Sequence, residues 1–278
     1  MNIKNKINAV AILALLVAYG ITGCQKMSQP PLGDYPQDAN PPGGPLKFFA
    51  AYDGGSVDSI RANYGVDNDV AFADGVSGKA LDASSNGYVV YPSANDFSKV
   101  TSFTLSFWVK KNGPNAAGKG TAFAFGLATT TDIWTRQDMF LEFEDAGNPS
   151  TADSAAAKFY LKDQWFEFTG AKRLHKVLDG QWHHLVFSFD QTTSTLTPYL
   201  DGAAVAGLPA GFGKFNNNSG KVDFSPIAGL VVGAPGHFAI GKTPDDWMGN
   251  FNGDIDQFRL YGEALSAADV AQLYANKE

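Results

Sequence analysis

Phe103-Thr104-Leu105-Ser106-Phe107-Trp108-Val109-Lys110 decides the fold class. Phe103, Leu105, Phe107 and Val109 alternate with Thr104, Ser106, Trp108 and Lys110, a period of two that places one set on the core face of a strand. The same alternation returns on both sides along the chain. Met139, Leu141 and Phe143 alternate with Phe140, Glu142 and Glu144, and Leu185, Phe187 and Phe189 alternate with His184, Val186 and Ser188. Pro198 to Leu200 runs into Asp201-Gly202, a pair that tolerates the positive φ of a tight hairpin turn. Phe238 to Gly241 and Asp254 to Tyr261 are further expected strands. One helix is expected, at the end: Ser266 with Asp269 three residues on makes a capping-box start, and Val270, Leu273 and Tyr274 follow on one face. Many strands, Gly- and Asn-rich connections and a single short terminal helix predict an all-β antiparallel sandwich.

The N-terminus has a different grammar. Lys4 and Lys6 precede an apolar run from Ile7 to Tyr19, shorter than the roughly 20 residues a spanning helix needs and laid out like a secretory signal. Ile21-Thr22-Gly23-Cys24 resembles the lipobox of bacterial lipoproteins, which implies lipidation of Cys24, the only cysteine in the chain. Several acyl chains on one residue make a stable anchor. The expected localisation is therefore the cell envelope, with the outer membrane favoured. Gln25-Lys26-Met27-Ser28 carries no acidic run, so whether the domain faces the periplasm or the outside stays open. Residues 25–45 hold six of the fourteen prolines, which predicts an extended stalk. The expected organisation is a signal segment over 1–23, a lipidated Cys and stalk over 24–45, and one domain over 46–278. With a single cysteine the domain has no intramolecular disulfide and depends on its core.

The formal charge is −7, and losing Lys4 and Lys6 with the signal takes it to −9. That balance excludes a basic nucleic-acid face and offers no cationic patch for lipid headgroups.

Three stretches, in order, resemble the concanavalin A-like jelly rolls of the laminin-G-like type. The first is Gly75 to Leu81 with Tyr88-Val89-Val90 and Phe103 to Lys110. The second is Gly180-Gln181-Trp182-His183-His184-Leu185-Val186 with Tyr199-Leu200-Asp201-Gly202. The third is Phe251-Asn252-Gly253-Asp254-Ile255-Asp256 with Phe258 to Tyr261 and Ala264-Leu265-Ser266. The resemblance implies a β-sandwich whose members serve as carbohydrate-binding modules, adhesion domains or appendages of enzymes, and the fold alone does not select among these. It also implies a structural calcium ion where the first and last strands meet, with Asp53, Asp254 and Asp256 at the matching positions. Calcium takes six to eight oxygens, from carboxylates, carbonyls and water.

Catalysis has little support. Jelly-roll glycosidases of the laminarinase type carry E-x-D-x-x-E, and paired carboxylates are what glycoside hydrolysis needs. The closest stretch, Glu142-Phe143-Glu144-Asp145, lacks the central Asp and the downstream Glu and reads as a solvated strand face. No G-x-S-x-G is present, His183 and His184 point to opposite sheet faces, and His175 and His237 give no zinc-ligand spacing. Sugar binding calls for an exposed aromatic ring beside polar groups. Trp247, in a loop with Asp246 and Asn250, fits best. Trp134, between Asp132 and Arg136, is second, and Trp165, flanked by Asp163 and Glu167, is third. Trp108 and Trp182 belong to strands. The expectation is a non-catalytic glycan-binding domain. The alternatives are a protein-binding adhesion or assembly component and, third, a divergent glycosidase or lyase using Glu142 and Glu144.

Overall fold

A computed structural model describes residues 43–113, 120–144 and 150–277. The signal segment, Cys24, nearly all of the stalk and Asp145 lie outside the described residues. Two large sheets face each other. In the first, Phe103–Asn112 is central, flanked by Asp179–Asp190 and Asp254–Tyr261, with Thr195–Leu200 beyond one and Leu46–Ala50 beyond the other. The second runs Gln164–Phe168, Ala157–Leu161, Gln137–Glu144, Thr121–Thr129, Ile227–Val232, Tyr88–Tyr91, Val66–Asn68. Neighbours along both paths are antiparallel. Met248–Asn250 is the exception, lying parallel against Thr121, Ala122 and Phe123.

The alternation read from the sequence is the alternation observed. Phe103, Leu105, Phe107 and Val109 are fully buried between the sheets, where Phe107 meets Phe125 edge-on at 6.1 Å and Phe258 at 5.5 Å. The outward set differs from expectation, because Thr104, Ser106 and Trp108 are buried too. The C-terminal segment covers them. The Thr104 hydroxyl donates to the Glu263 carbonyl and accepts from the Leu265 amide, both at 2.9 Å. The helix Ala267–Asn276, closed at its start by the Ser266–Asp269 capping box, lays Val270 on Val186 and Tyr199 and stacks Tyr274 on Trp108 at 5.4 Å. A ten-residue helix is marginal alone, so this contact is what holds it. The centre of the first sheet is thus covered on both faces.

Phe238 to Gly241 is not a strand. Gly236–Ile240 forms a 3-10 turn that ends at Gly241, whose φ of 63° ordinary residues rarely adopt. Among the described residues no helix is long and apolar enough to cross a membrane.

Candidate functional site

The aromatic candidates lie on the outer face of the second sheet. In Gln137–Glu144, Met139, Leu141 and Phe143 fill the core, which turns Phe140 and Glu142 outward. Phe140 stacks on Tyr160 of the next strand at 4.7 Å and 6° and contacts Phe123 on the other side at 5.0 Å. On this buried aromatic floor sit the three tryptophans singled out from the sequence. Trp165, half-buried on the edge strand, stands edge-on to Phe140 and Tyr160 at 5.4 and 5.1 Å. Trp134 reaches in from the 131–136 turn and stacks on Trp165 at 6.1 Å and 29°. Trp247 lies 5.9 Å from Phe123 at the opposite end of this run of rings. Trp134 is 55% exposed and Trp247 36%, enough open ring surface in each case to stack a ligand.

Beside Trp134 is an open depression of about 370 Å³. Ile133 and Arg136 line it from one loop, Lys242, Thr243 and Asp245 from another, and His237, 4% exposed, from below. The Arg136 guanidinium pairs with Asp132, which also lines the depression. Sequence reasoning set His237 aside for want of metal spacing and gave Lys242 no role. One signal did exist: Gly126 interrupts the apolar strand Thr121–Thr129, and a glycine inside a strand often marks close backbone approach. A Cβ there would lie 2.2 Å from the Gly236 amide nitrogen. The Gln137 side-chain oxygen accepts from that same amide at 2.6 Å. Gly126 and Gln137 together seat the turn that carries His237.

The flanking polar residues divide. Asp246 is exposed beside Trp247. Asn250, expected to face a ligand, is 8% exposed and donates to the Asn86 carbonyl at 2.7 Å, so its amide secures the loop instead. Asp163 is in a turn and accepts from the Tyr160 hydroxyl at 3.3 Å, while Glu167 shares the outer face with Trp165.

Glu142 corrects the expectation of a solvated strand face. It is 2% exposed, wedged between its cross-strand partners Phe123 and Lys158. Burial pushes its pKa up to about 8, with Lys158 pulling down and Glu144 and Glu167 adding repulsion. Lys158 is held by Glu144 at 3.2 Å and Glu167 at 3.7 Å.

His184 lies 2.8 Å from the Ser106 hydroxyl, but both are fully buried under the C-terminal helix, and burial takes the imidazole down to about 4. His183 lies on the other face, between Asp201 at 2.9 Å and Asp179 at 3.0 Å.

Of the three carboxylates expected to hold calcium, two come together. Asp256 is fully buried and accepts from the Val76 amide at 2.8 Å, while its Oδ1 has no hydrogen-bond partner. Burial, with Asp53 adding repulsion, lifts it to about 6. Asp53 accepts from the Lys79 amide at 2.7 Å, on the same 75–79 loop. That loop comes close only because Gly75 and Gly78 are bare: a Cβ would lie 2.4 Å from an Asp256 oxygen and 2.0 Å from one of Asp53. Asp254 turns instead to Lys110, at 3.2 Å. Among the described residues no group of three His, Cys, Asp or Glu side chains could hold a metal ion. A cation would therefore rest on Asp53 and Asp256, with backbone oxygens or water completing its shell.

The sequence matches one family, described as the concanavalin A-like lectin/glucanases superfamily, over residues 82–271. The chain belongs to that superfamily. Its match to the concanavalin A-like lectin/glucanases begins after the strand Leu46–Ala50, yet that strand pairs with Asp254–Tyr261 and is integral to the sandwich.

Solved structures with the same fold include domain 4 of an extracellular arabinanase from Geobacillus stearothermophilus, in complex with arabinotriose. It is 20% identical, with a TM-score of 0.55, over 83% of this chain and 98% of that one. The binding domain of Paraclostridial Mosquitocidal Protein 1 is 16% identical, with a TM-score of 0.54, over 84% and 52%. Botulinum neurotoxin type C, described as depending for cell entry on two ganglioside molecules, is 12% identical, with a TM-score of 0.51, over 84% and 51%. The chain spans about half the length of these two toxin chains. No curated protein matches the sequence.

Proposed function

We propose that this protein is a non-catalytic glycan-binding lipoprotein, tethered to the outer membrane through Cys24, whose ligand lies on the outer face of the second sheet. The observation that carries the reading is the convergence of Trp134, Trp165 and Trp247 on one face, with a polar depression beside the most exposed of them. Apolar faces of sugar rings stack on such platforms while nearby carboxylates and amides take the hydroxyls. The arabinotriose complex and the ganglioside dependence of two relatives in fold support the same ligand class.

The test is affinity electrophoresis of the full chain in detergent through gels containing a panel of polysaccharides. Retardation by one class, with no release of reducing ends or unsaturated products, is the expected result. Product release that disappears in Glu142→Gln would instead establish the glycosidase or lyase reading. Partition into detergent phase, lost in Cys24→Ala, checks the anchor.

A protein-binding role is the second reading, favoured by one observation. Val57, Tyr64 and Val66 are 38%, 70% and 61% exposed, and Val57 and Tyr64 are cross-strand partners. That role predicts a co-purifying membrane partner and no retardation by any polysaccharide.

A structural calcium ion on Asp53 and Asp256 belongs to the proposal. The unpartnered Asp256 oxygen is its support. Calcium at a hundredfold above Kd should stabilise the fold by about 2.7 kcal/mol, since only the folded state gathers these ligands. Thermal melts with calcium and with EDTA would show it as a raised Tm that Asp256→Asn removes. Identical melts in both conditions would discard the ion.

A further inference from the structure

We infer that the depression beside Trp134 accepts an uncharged sugar unit, so that the ligand is a neutral glycan and not one bearing uronate, sialate or sulfate groups. The inference rests on the glycan reading above and deepens it.

The depression is polar but balanced. Arg136 and Lys242 line it together with Asp132 and Asp245. The guanidinium, the group best shaped to grip a sugar carboxylate in a two-pronged bond, is already committed to Asp132. An anionic sugar would compete with that carboxylate for the guanidinium and would sit beside two carboxylates. The same holds along the platform: Lys158 is held between Glu144 and Glu167, and Asp163 and Asp246 are exposed at either end. Lys242 is the cation of the depression that no carboxylate pairs among the described residues, and Asp245 lines the same space to offset it; the chain as a whole carries −7.

His237 supplies the positive half of the argument. It is 4% exposed, it lines the depression, and its Nδ1 has no hydrogen-bond partner. Burial pushes its pKa down, so at pH 7 the ring is a neutral imidazole with one donor and one acceptor. A hydroxyl also donates and accepts, and a sugar offers hydroxyls in quantity. Thr243 adds a second neutral group of the same kind, and Ile133 an apolar patch for a ring C–H face.

The experiment runs the full chain in detergent through gels of neutral polysaccharides (arabinan, xylan, mannan, mixed-linkage glucan) and of polygalacturonate, alginate and heparin. The expected result is retardation in at least one neutral gel and in none of the anionic ones. Affinity should change less than about twofold between about 50 and 500 mM NaCl, because an uncharged ligand has no attraction for salt to screen. The double variant Asp132→Asn, Asp245→Asn frees Arg136 and should gain retardation in polygalacturonate. Retardation of the unaltered chain by an anionic gel, abolished by Trp134→Ala, would overturn the neutral assignment and leave the glycan reading standing. Passage through every gel without retardation would remove the glycan reading and this inference with it.

Discussion

Trp134→Ala should weaken binding of the retained polysaccharide about tenfold to a hundredfold and leave the melting curve unchanged. The two halves of that expectation have separate causes. Trp134 is 55% exposed and stands on Trp165 at 6.1 Å, so truncating it opens no core cavity and leaves Trp165 seated against Phe140 and Tyr160. Its outer ring face is what a sugar covers. Losing an aromatic anchor at the centre of a contact typically costs about 1.4–2.7 kcal/mol, which is that range of affinities. Phe140→Ala makes the contrast. Phe140 is fully buried beneath the same platform, and removing it should cost about 3–5 kcal/mol of stability. Tyr64→Ala serves as the control, since Tyr64 is the most exposed large apolar residue among the described residues and lies outside that face. Isothermal titration on these variants decides the matter. Unaltered affinity in Trp134→Ala and again in Trp165→Ala would show that the ligand stacks elsewhere.

Glu142→Gln should stabilise the protein, and more so as pH rises. The sign follows from proton counting. Between the ordinary carboxyl pKa of 4.5 and its raised value of about 8, Glu142 keeps its proton when folded and loses it when unfolded. The unfolded state thus binds fewer protons across that window, so this residue drains stability as pH climbs through it. Gln has nearly the same shape and no proton to lose. Between pH 4.5 and 8 the gap between variant and parent should widen by on the order of 4 kcal/mol. Urea melts at the two pH values measure it. Parallel curves would mean that Glu142 is ionised in the folded protein, with Lys158 carrying more of its charge than the buried geometry implies. The same variant serves the search for cleavage: an enzyme would lose its products, whereas a binding domain keeps its ligand and melts later.

The fold was legible because one period recurred. Phe103 to Lys110 announces its core face in eight letters, and the three family stretches place their strands in order. The alternation gave no warning that the opposite face would be buried as well. Thr104 and Ser106 look like solvent residues until the terminal segment arrives from more than 150 positions away. The failed strand at Phe238 has a local cause. Pro235-Gly236 precedes it and Gly241 ends it with a positive φ, so a short apolar segment became a turn. Trp134 and Trp247 stood out singly, from acidic loops, and Trp165 from the acids that flank it, but not as a set, because only sheet order brings all three onto one face. Glu142 misled for a similar reason: a carboxylate on a strand reads as solvated unless the neighbouring strands are known to bring Phe123 and Lys158 to its sides. His237 carried no signal of its own, and its place was written into Gly126 and Gln137.

The pairing of the first described strand with the last sets the order in which the sandwich can close. Leu46 lies opposite Tyr261 and Ala50 opposite Phe258, and the central strand Phe103–Asn112 needs Asp254–Tyr261 as a neighbour. Contacts between such distant parts form slowly, since a long loop must close before any of them is gained. Until the final strand is available, the first sheet has an open seam and no helix to cover it. A polypeptide with this wiring keeps its first sheet open through most of its synthesis and closes it only when its last strand and helix become available.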